Sequence, residues 1–365
     1  FDLFLSHPIL FEMFTGEGKS SGLVLGSSNG GTVSSCIIEN CTATKLNPVG
    51  RDMRLVASTI RNNTCSSDYM LQNPNGVYDC VFSNNTATSG SALVYKNHTV
   101  AMPVSNTVFV ANKMTATYMT TGIVALEQAS GKGMLKISDC TFVGNSGTSG
   151  TVCNNSSADD IVLENCKFFS NTNTVSDTKS GAVAFSTEGS VGKLILDGCV
   201  FRGNYSAMGT AGINCGIVSN TVFDANVTEK EGACGFARKG VRLEFVGCTF
   251  VNNTASSGGG ALVSYWKDED AFRTPGEIVV SGGSYFGTNS CPNAGGAVYC
   301  YLNSKASFLD TTFEKNSSTS SSGGAIYGPS YSSNCTFRAK RVEVTARLRN
   351  HLVPGLAGRK QEDRV

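Results

Sequence analysis

Charge is scarce in this sequence: Asp, Glu, Lys and Arg make up only 16% of its 365 residues, and the formal net charge is +1. Without a concentrated basic face there is no case for nucleic acid or an anionic membrane surface as a partner. Histidine is limited to His7, His98 and His351, and tryptophan to Trp266. Isolated histidines, and a Cys36–Cys41 pair with no second pair to match it, exclude the usual zinc spacings, so neither a metal nor a cofactor is expected. No apolar run reaches the roughly 18 to 20 residues of a membrane helix, because His7, Pro8 and two acids interrupt the apolar opening. No signal peptide can be read in the sequence, which begins at Phe1 without Met.

Glycine is plentiful at 41 residues, and Ser, Thr and Asn fill the gaps between short β-branched and aromatic runs. Such a composition belongs to short strands joined by turns, with little sustained helix. Fourteen cysteines are many for a reduced compartment. Eleven Asn-x-Ser/Thr acceptors stand at Asn40, Asn62, Asn84, Asn97, Asn154, Asn155, Asn204, Asn226, Asn252, Asn316 and Asn334. Cysteines and acceptors together favour an extracellular or cell-surface protein, although a chain rich in Asn, Ser and Thr also produces such triplets by chance.

Internal repetition organises the rest. An apolar column falls at Ile38, Ile60, Phe82, Phe109, Phe142, Phe168, Phe201, Phe223, Phe250, Phe286, Phe313 and Phe337. Its shortest interval is 22 residues, and longer ones place insertions in loops. The third place after the column is Asn in ten copies: Asn63, Asn85, Asn112, Asn145, Asn171, Asn204, Asn226, Asn253, Asn289 and Asn316. Cys41 and Lys340 break it at the two ends. Two places before the column stand Cys36, Cys80, Cys140, Cys166, Cys199, Cys248 and Cys335, or a Ser or Thr. Alternate strand residues share a face, so both columns point into one interior.

An alternating strand often precedes this word, as in Leu135-Lys136-Ile137. A Ser/Thr/Gly loop follows it and leads to another strand, as in Gly295-Gly296-Ala297-Val298-Tyr299. Three short strands per coil predict a single all-β domain, a right-handed parallel β-helix of the pectin-lyase-like kind with about twelve coils, over residues 35–338. In that reading Phe stacks on Phe, Asn bonds sideways to the next coil while holding a left-handed turn, and Gly-Gly-Ala supplies positive φ at a corner. Residues 1–34 are expected to form a partial coil or N-terminal cap. The basic tail, residues 339–365, is expected to be disordered or a gene-model artefact.

Phe313-Glu314-Lys315-Asn316 with Gly323-Gly324-Ala325-Ile326, and Phe250-Val251-Asn252-Asn253 with Gly259-Gly260-Ala261-Leu262, carry both words in full. Their alternation resembles the repeat of the polymorphic membrane proteins of chlamydiae and similar protist surface proteins. That resemblance implies a surface adhesin. A host-cell or matrix protein or a glycan would be its partner. No alternating, aromatic-ended strands of an outer-membrane barrel follow the repeats.

Polysaccharide lyases and glycoside hydrolases on the same fold are the rival reading, and they need gathered carboxylates or a basic residue beside them. Only Asp159-Asp160 and Asp268-Glu269-Asp270 cluster, the first before a strand where acidic turn residues are expected, so no catalytic residue is assigned. Cys140, Cys166 and Cys199 fall in one column on successive coils, close enough for a disulfide and equally suited to a stack of free thiols. The candidate binding loop is the insertion Tyr265, Trp266, Lys267, Asp268, Glu269 and Asp270, since loops on rigid scaffolds commonly carry recognition.

Overall fold

The computed structural model describes residues 2–3, 9–12, 15–16, 31–43, 53–66, 69–88, 91–96, 103–115, 122–127, 134–147, 150–155, 160–174, 184–186, 193–207, 212, 216–237, 240–265 and 275–338. Among these every strand pairs in parallel with the equivalent strand of the next turn, as in a right-handed parallel β-helix. The core sheet carries the aromatic column and has 13 strands. A leading sheet, built from the alternating strands that precede each word, also has 13. The core sheet thus holds one rung more than the twelve read from the sequence. Ile9–Glu12 lies beneath Cys36–Glu39, with Phe11 opposite Ile38.

Among the described residues nine coils contain four strands, one more than the sequence pattern predicted. After the column Asn the chain forms a two-residue strand, such as Thr86–Ala87, and twelve of these make a narrow corner sheet. Two residues are too short to show alternation. A return sheet completes the coil and is divided into a group of five strands and a group of four, the second formed by Gly235–Ala237, Leu262–Ser264, Val298–Cys300 and Ile326–Tyr327.

The interior follows from these columns. From Phe82 to Phe337 successive rings stack with centroids 4.4 to 5.1 Å apart, a spacing set by the distance between paired strands. Phe245 and Phe308 meet this stack edge-on from the leading sheet. Beside it the ten asparagines form a continuous ladder. Asn85 is typical: its backbone N–H and its Nδ2 both donate to Oδ1 of Asn112, at 3.2 and 2.9 Å, and Nδ2 also donates to the Ile60 carbonyl at 2.8 Å. Both amide hydrogens and the amide oxygen are therefore satisfied inside the core.

The left-handed turn lies one residue earlier than expected. Asn62, Asn84, Ala111, Asn252 and Lys315, each just before a ladder Asn, have φ between 53° and 58°. The ladder residue needs an inward side chain, so the preceding residue makes the bend. Gly259, Gly295 and Gly323 have positive φ at the opposite corner, as expected.

The cysteine column is a ladder of weaker bonds. Cys80 Sγ donates to the Tyr78 carbonyl at 3.0 Å, and where the next coil carries Thr107 its hydroxyl accepts the Cys80 N–H. All twelve cysteines whose side chains are described are free thiols, so the trio Cys140, Cys166 and Cys199 is a thiol stack.

Candidate functional site

Of the predicted binding loop only Tyr265 is described; Trp266, Lys267, Asp268, Glu269 and Asp270 lie outside the described residues. Hydrogen bonds fix the residues on either side of it. The Gly276 N–H donates to the Tyr265 carbonyl at 3.1 Å, which brings the two ends of the insertion together. Buried Ser264 donates to the carbonyls of Gly276 and Lys305, at 2.8 and 3.0 Å, tying both ends to the following coil.

Tyr265 is one of five aromatic rings on the outer face of the four-stranded return sheet. Inward and outward positions alternate along these strands, so Gly235 and Ala237 are buried while Phe236 emerges, and Val298 and Cys300 are buried while Tyr299 emerges. Register then stacks the outward residues Phe236, Val263, Tyr299 and Tyr327 across four coils. Tyr301 joins them from the tight turn that leads to Lys305–Leu309, where Asn303 has φ 67°. The rings make an unbroken chain. Phe236 stacks on Tyr265 at 5.6 Å, Tyr265 meets Tyr301 edge-on at 4.5 Å, Tyr301 meets Tyr299 at 4.5 Å, and Tyr299 stacks on Tyr327 at 5.5 Å. A Cβ at Gly258 would stand 3.0 Å from the Tyr299 ring, so the missing side chain there lets the ring lie close to the backbone.

A carboxylate is set into this surface. Glu231 stands at the corner of one coil, Ser257 at the same corner of the next, and Tyr301 on the coil after that. Tyr301 donates its phenol proton to Glu231 Oε1 at 2.8 Å, and Ser257 Oγ donates to the same oxygen at 3.3 Å. Burial raises the Glu231 carboxyl above its ordinary range, opposed by these two hydrogen bonds and by Lys230. The Tyr301 phenol is raised too, first by burial and then by the Glu231 charge. Sequence reading did not find this pair, since 70 positions separate its members. A signal was nevertheless present: the fourth place after the positive-φ glycine is Phe236, Val263, Tyr299 and Tyr327 in successive coils.

The other predicted positions are structural. Phe82, Phe142, Phe201, Phe250 and Phe313 fill the ring stack, and Asn85, Asn145, Asn204, Asn253 and Asn316 belong to the amide ladder. Among the glycan acceptors, Asn40, Asn62, Asn84, Asn252 and Asn334 are exposed at turns. Asn204 and Asn226 are corrected: both are fully buried and both donate twice through Nδ2, leaving no room for a glycan in the folded rod. Asn316 is part-buried and donates through Nδ2 to the Phe286 carbonyl. Asn97 and the side chains of Asn154 and Asn155 lie outside the described residues. Asp160 stands just before the strand Ile161–Glu164, its Oδ1 accepting the Lys193 N–H at 2.7 Å.

Comparison with known families adds two matches. Residues 14–208, slightly more than half of the chain, match the family model described as periplasmic copper-binding protein (NosD). Residues 247–265 and 310–329 match the Chlamydia polymorphic membrane protein repeat, the second span including Phe313 and Gly323-Gly324-Ala325-Ile326. No curated protein and no solved structure matches.

Proposed function

The chain belongs to the family described as periplasmic copper-binding protein (NosD) and carries polymorphic membrane protein repeats, and from that premise we propose that it is a non-catalytic, glycan-binding adhesive rod. The two family descriptions place such proteins in the periplasm or at the membrane surface, outside the cytoplasm. One observation carries the binding reading. A continuous chain of five rings with a carboxylate set among them lies on the outer face of a rigid sheet. Side chains fixed on strands keep their geometry better than side chains on loops, and aromatic faces with a few polar groups suit recognition. Tyr265, the first residue of the candidate loop, belongs to this face, and Trp266 beside it in sequence is proposed to contribute to binding.

Copper does not fit the described residues. No group of three His, Cys, Asp or Glu among them is arranged to hold a metal ion, and His7, His98 and His351 lie outside them. The described thiols are buried, Cys335 excepted. Those of Cys140 and Cys199 are raised by the hydrogen bond each gives to Cys166 and by burial.

A glycosidase on this fold would want two carboxylates flanking the bond to be cut. Glu231 has no second carboxylate among the groups that shift it, and neither family description names an enzyme. The test is binding of the purified chain to host cells and to a glycan panel. Saturable binding that weakens in Tyr299→Ala and Trp266→Ala supports the reading. Absence of binding across the panel leaves a purely structural rod.

A further inference from the structure

The rings on the return sheet touch one another and form a continuous chain. What they offer is a stepped surface, with Tyr301 edge-on to both Tyr265 and Tyr299. It runs over four coils, three rung spacings or roughly 14 Å along the rod axis. Tyr265, Tyr299 and Tyr301 are half-buried and Tyr327 is exposed, so each presents part of a ring and carries a phenol oxygen. An extended chain of sugar rings can lie over such a surface, its C–H faces on the aromatics and its hydroxyls within reach of the phenols.

Charge narrows the ligand further. Tyr301 and Ser257 both donate to Oε1 of Glu231, and Oε2 accepts no hydrogen bond or ion pair among the described residues. Lys230, next to it in sequence, is exposed and makes no ion pair with it among the described residues. A half-buried carboxylate with an unused oxygen, beside the Tyr301 and Tyr299 rings, matches a cationic group on two counts. The carboxylate supplies opposite charge, and the ring faces attract a cation through their quadrupoles. Anionic sugars meet the reverse, since they would bring a like charge toward Glu231.

Resting on the glycan-binding reading above, we propose that this face binds a polysaccharide bearing free amino groups, a hexosamine polymer, with one ammonium at Glu231 Oε2 and the adjoining sugar rings on Tyr299 and Tyr301. The ligand lies along the rod axis, since the rings and the carboxylate follow one another from coil to coil.

The proposal is tested by calorimetric titration of the intact chain with three soluble oligomers: glucosamine, with free amines; N-acetylglucosamine, neutral; and galacturonate, anionic. Glucosamine oligomers are expected to bind about tenfold more tightly than the acetylated ones. In Glu231→Gln, which keeps an oxygen for Tyr301 and Ser257, that preference should vanish while the acetylated oligomer is unaffected. Tyr299→Ala should weaken both alike. Unfolding temperatures of both variants establish that they fold. Equal affinity for free and acetylated oligomers, or an unchanged preference in Glu231→Gln, overturns the ammonium assignment and leaves the glycan platform standing. Galacturonate binding tightest overturns it as well. Failure of all three oligomers to bind overturns the platform itself.

Discussion

The side-chain amide of Asn204 donates to Oδ1 of Asn226 at 3.0 Å, and the backbone N–H of Asn204 donates to the same oxygen at 3.1 Å. One amide oxygen thus satisfies two donors of the neighbouring coil, and the second amide hydrogen of Asn204 reaches the Phe168 carbonyl at 2.9 Å. Asn204→Ala deletes these side-chain partners and strands a buried N–H of Asn171 and the Phe168 carbonyl. Buried polar groups left unpaired cost about 1–3 kcal/mol, so a loss near the upper end is expected in urea unfolding. Asn62→Ala, at an exposed turn, should cost far less, and equal losses at the two positions would remove the ladder from its stabilising role.

Gly260 and Gly296 illustrate a different constraint, close approach between coils. A Cβ on Gly260 would sit 2.2 Å from the Gly296 carbonyl oxygen, and a Cβ on Gly296 would sit 2.1 Å from that of Gly324. Backbone atoms cannot move aside without disturbing the Gly260 N–H to Gly295 carbonyl bond. Gly296→Ala should therefore destabilise by roughly 1–3 kcal/mol, as overpacking does. Gly144→Ala offers the comparison, since a Cβ there meets nothing within 4 Å and only its positive φ opposes the change. Unfolding temperatures that fall more for Gly144→Ala than for Gly296→Ala would contradict the assignment.

The buried thiols make stability depend on alkaline pH. Burial pushes Cys80 and Cys300 up to about 12 and Cys248 up to about 11, from an ordinary value of 9.0. An acid whose folded value is raised holds its proton in the native state after the unfolded chain has lost it. Stability is therefore full below about 9 and falls as pH rises from 9 toward 12. The midpoint of denaturation should drop over that window, and Cys80→Ser, which places a hydroxyl like that of Thr107 in the column, should make the drop shallower. Maleimide labelling of the native chain at pH 7 should reach Cys335, the least buried of the described thiols, before the others.

Much of this architecture was legible because each column repeats. Phe82, Phe109 and Phe142 announce an inward position, since a β-strand period of two and a parallel register allow no other reading. The Asn column was legible as a stacking device, though its left-handed bend belongs to the preceding residue, Asn84 rather than Asn85. A period cannot reveal that difference, because both residues are fixed relative to Phe82. Corner strands such as Thr86–Ala87 escaped notice for want of length. The platform escaped for another reason. Glu231 and Tyr301 meet only because insertions of different length lie between coils whose corners remain in register. Adjacency of that kind belongs to the stacked rod and to no local stretch of sequence.

Glu231 also sets binding against stability. Its carboxyl is raised chiefly by burial, so the folded state prefers the protonated form, and ionising it at neutral pH weakens the fold. Its contribution is fully present below the ordinary 4.5 and is lost as pH rises through the raised folded value. Glu231→Gln keeps an acceptor for Tyr301 and Ser257 while removing the charge. It should consequently raise the unfolding temperature at pH 7 and leave it unchanged at pH 4, where the wild-type carboxyl is already protonated. Thermal unfolding of the two proteins at both pH values reads this directly. A variant less stable than wild type at pH 7 would mean that the carboxylate is held by a compensating charge, contrary to the placement of Lys230 on the surface. A gain confined to neutral pH would identify Glu231 as a charge kept at a cost in stability, a pattern frequent where activity needs a destabilised site.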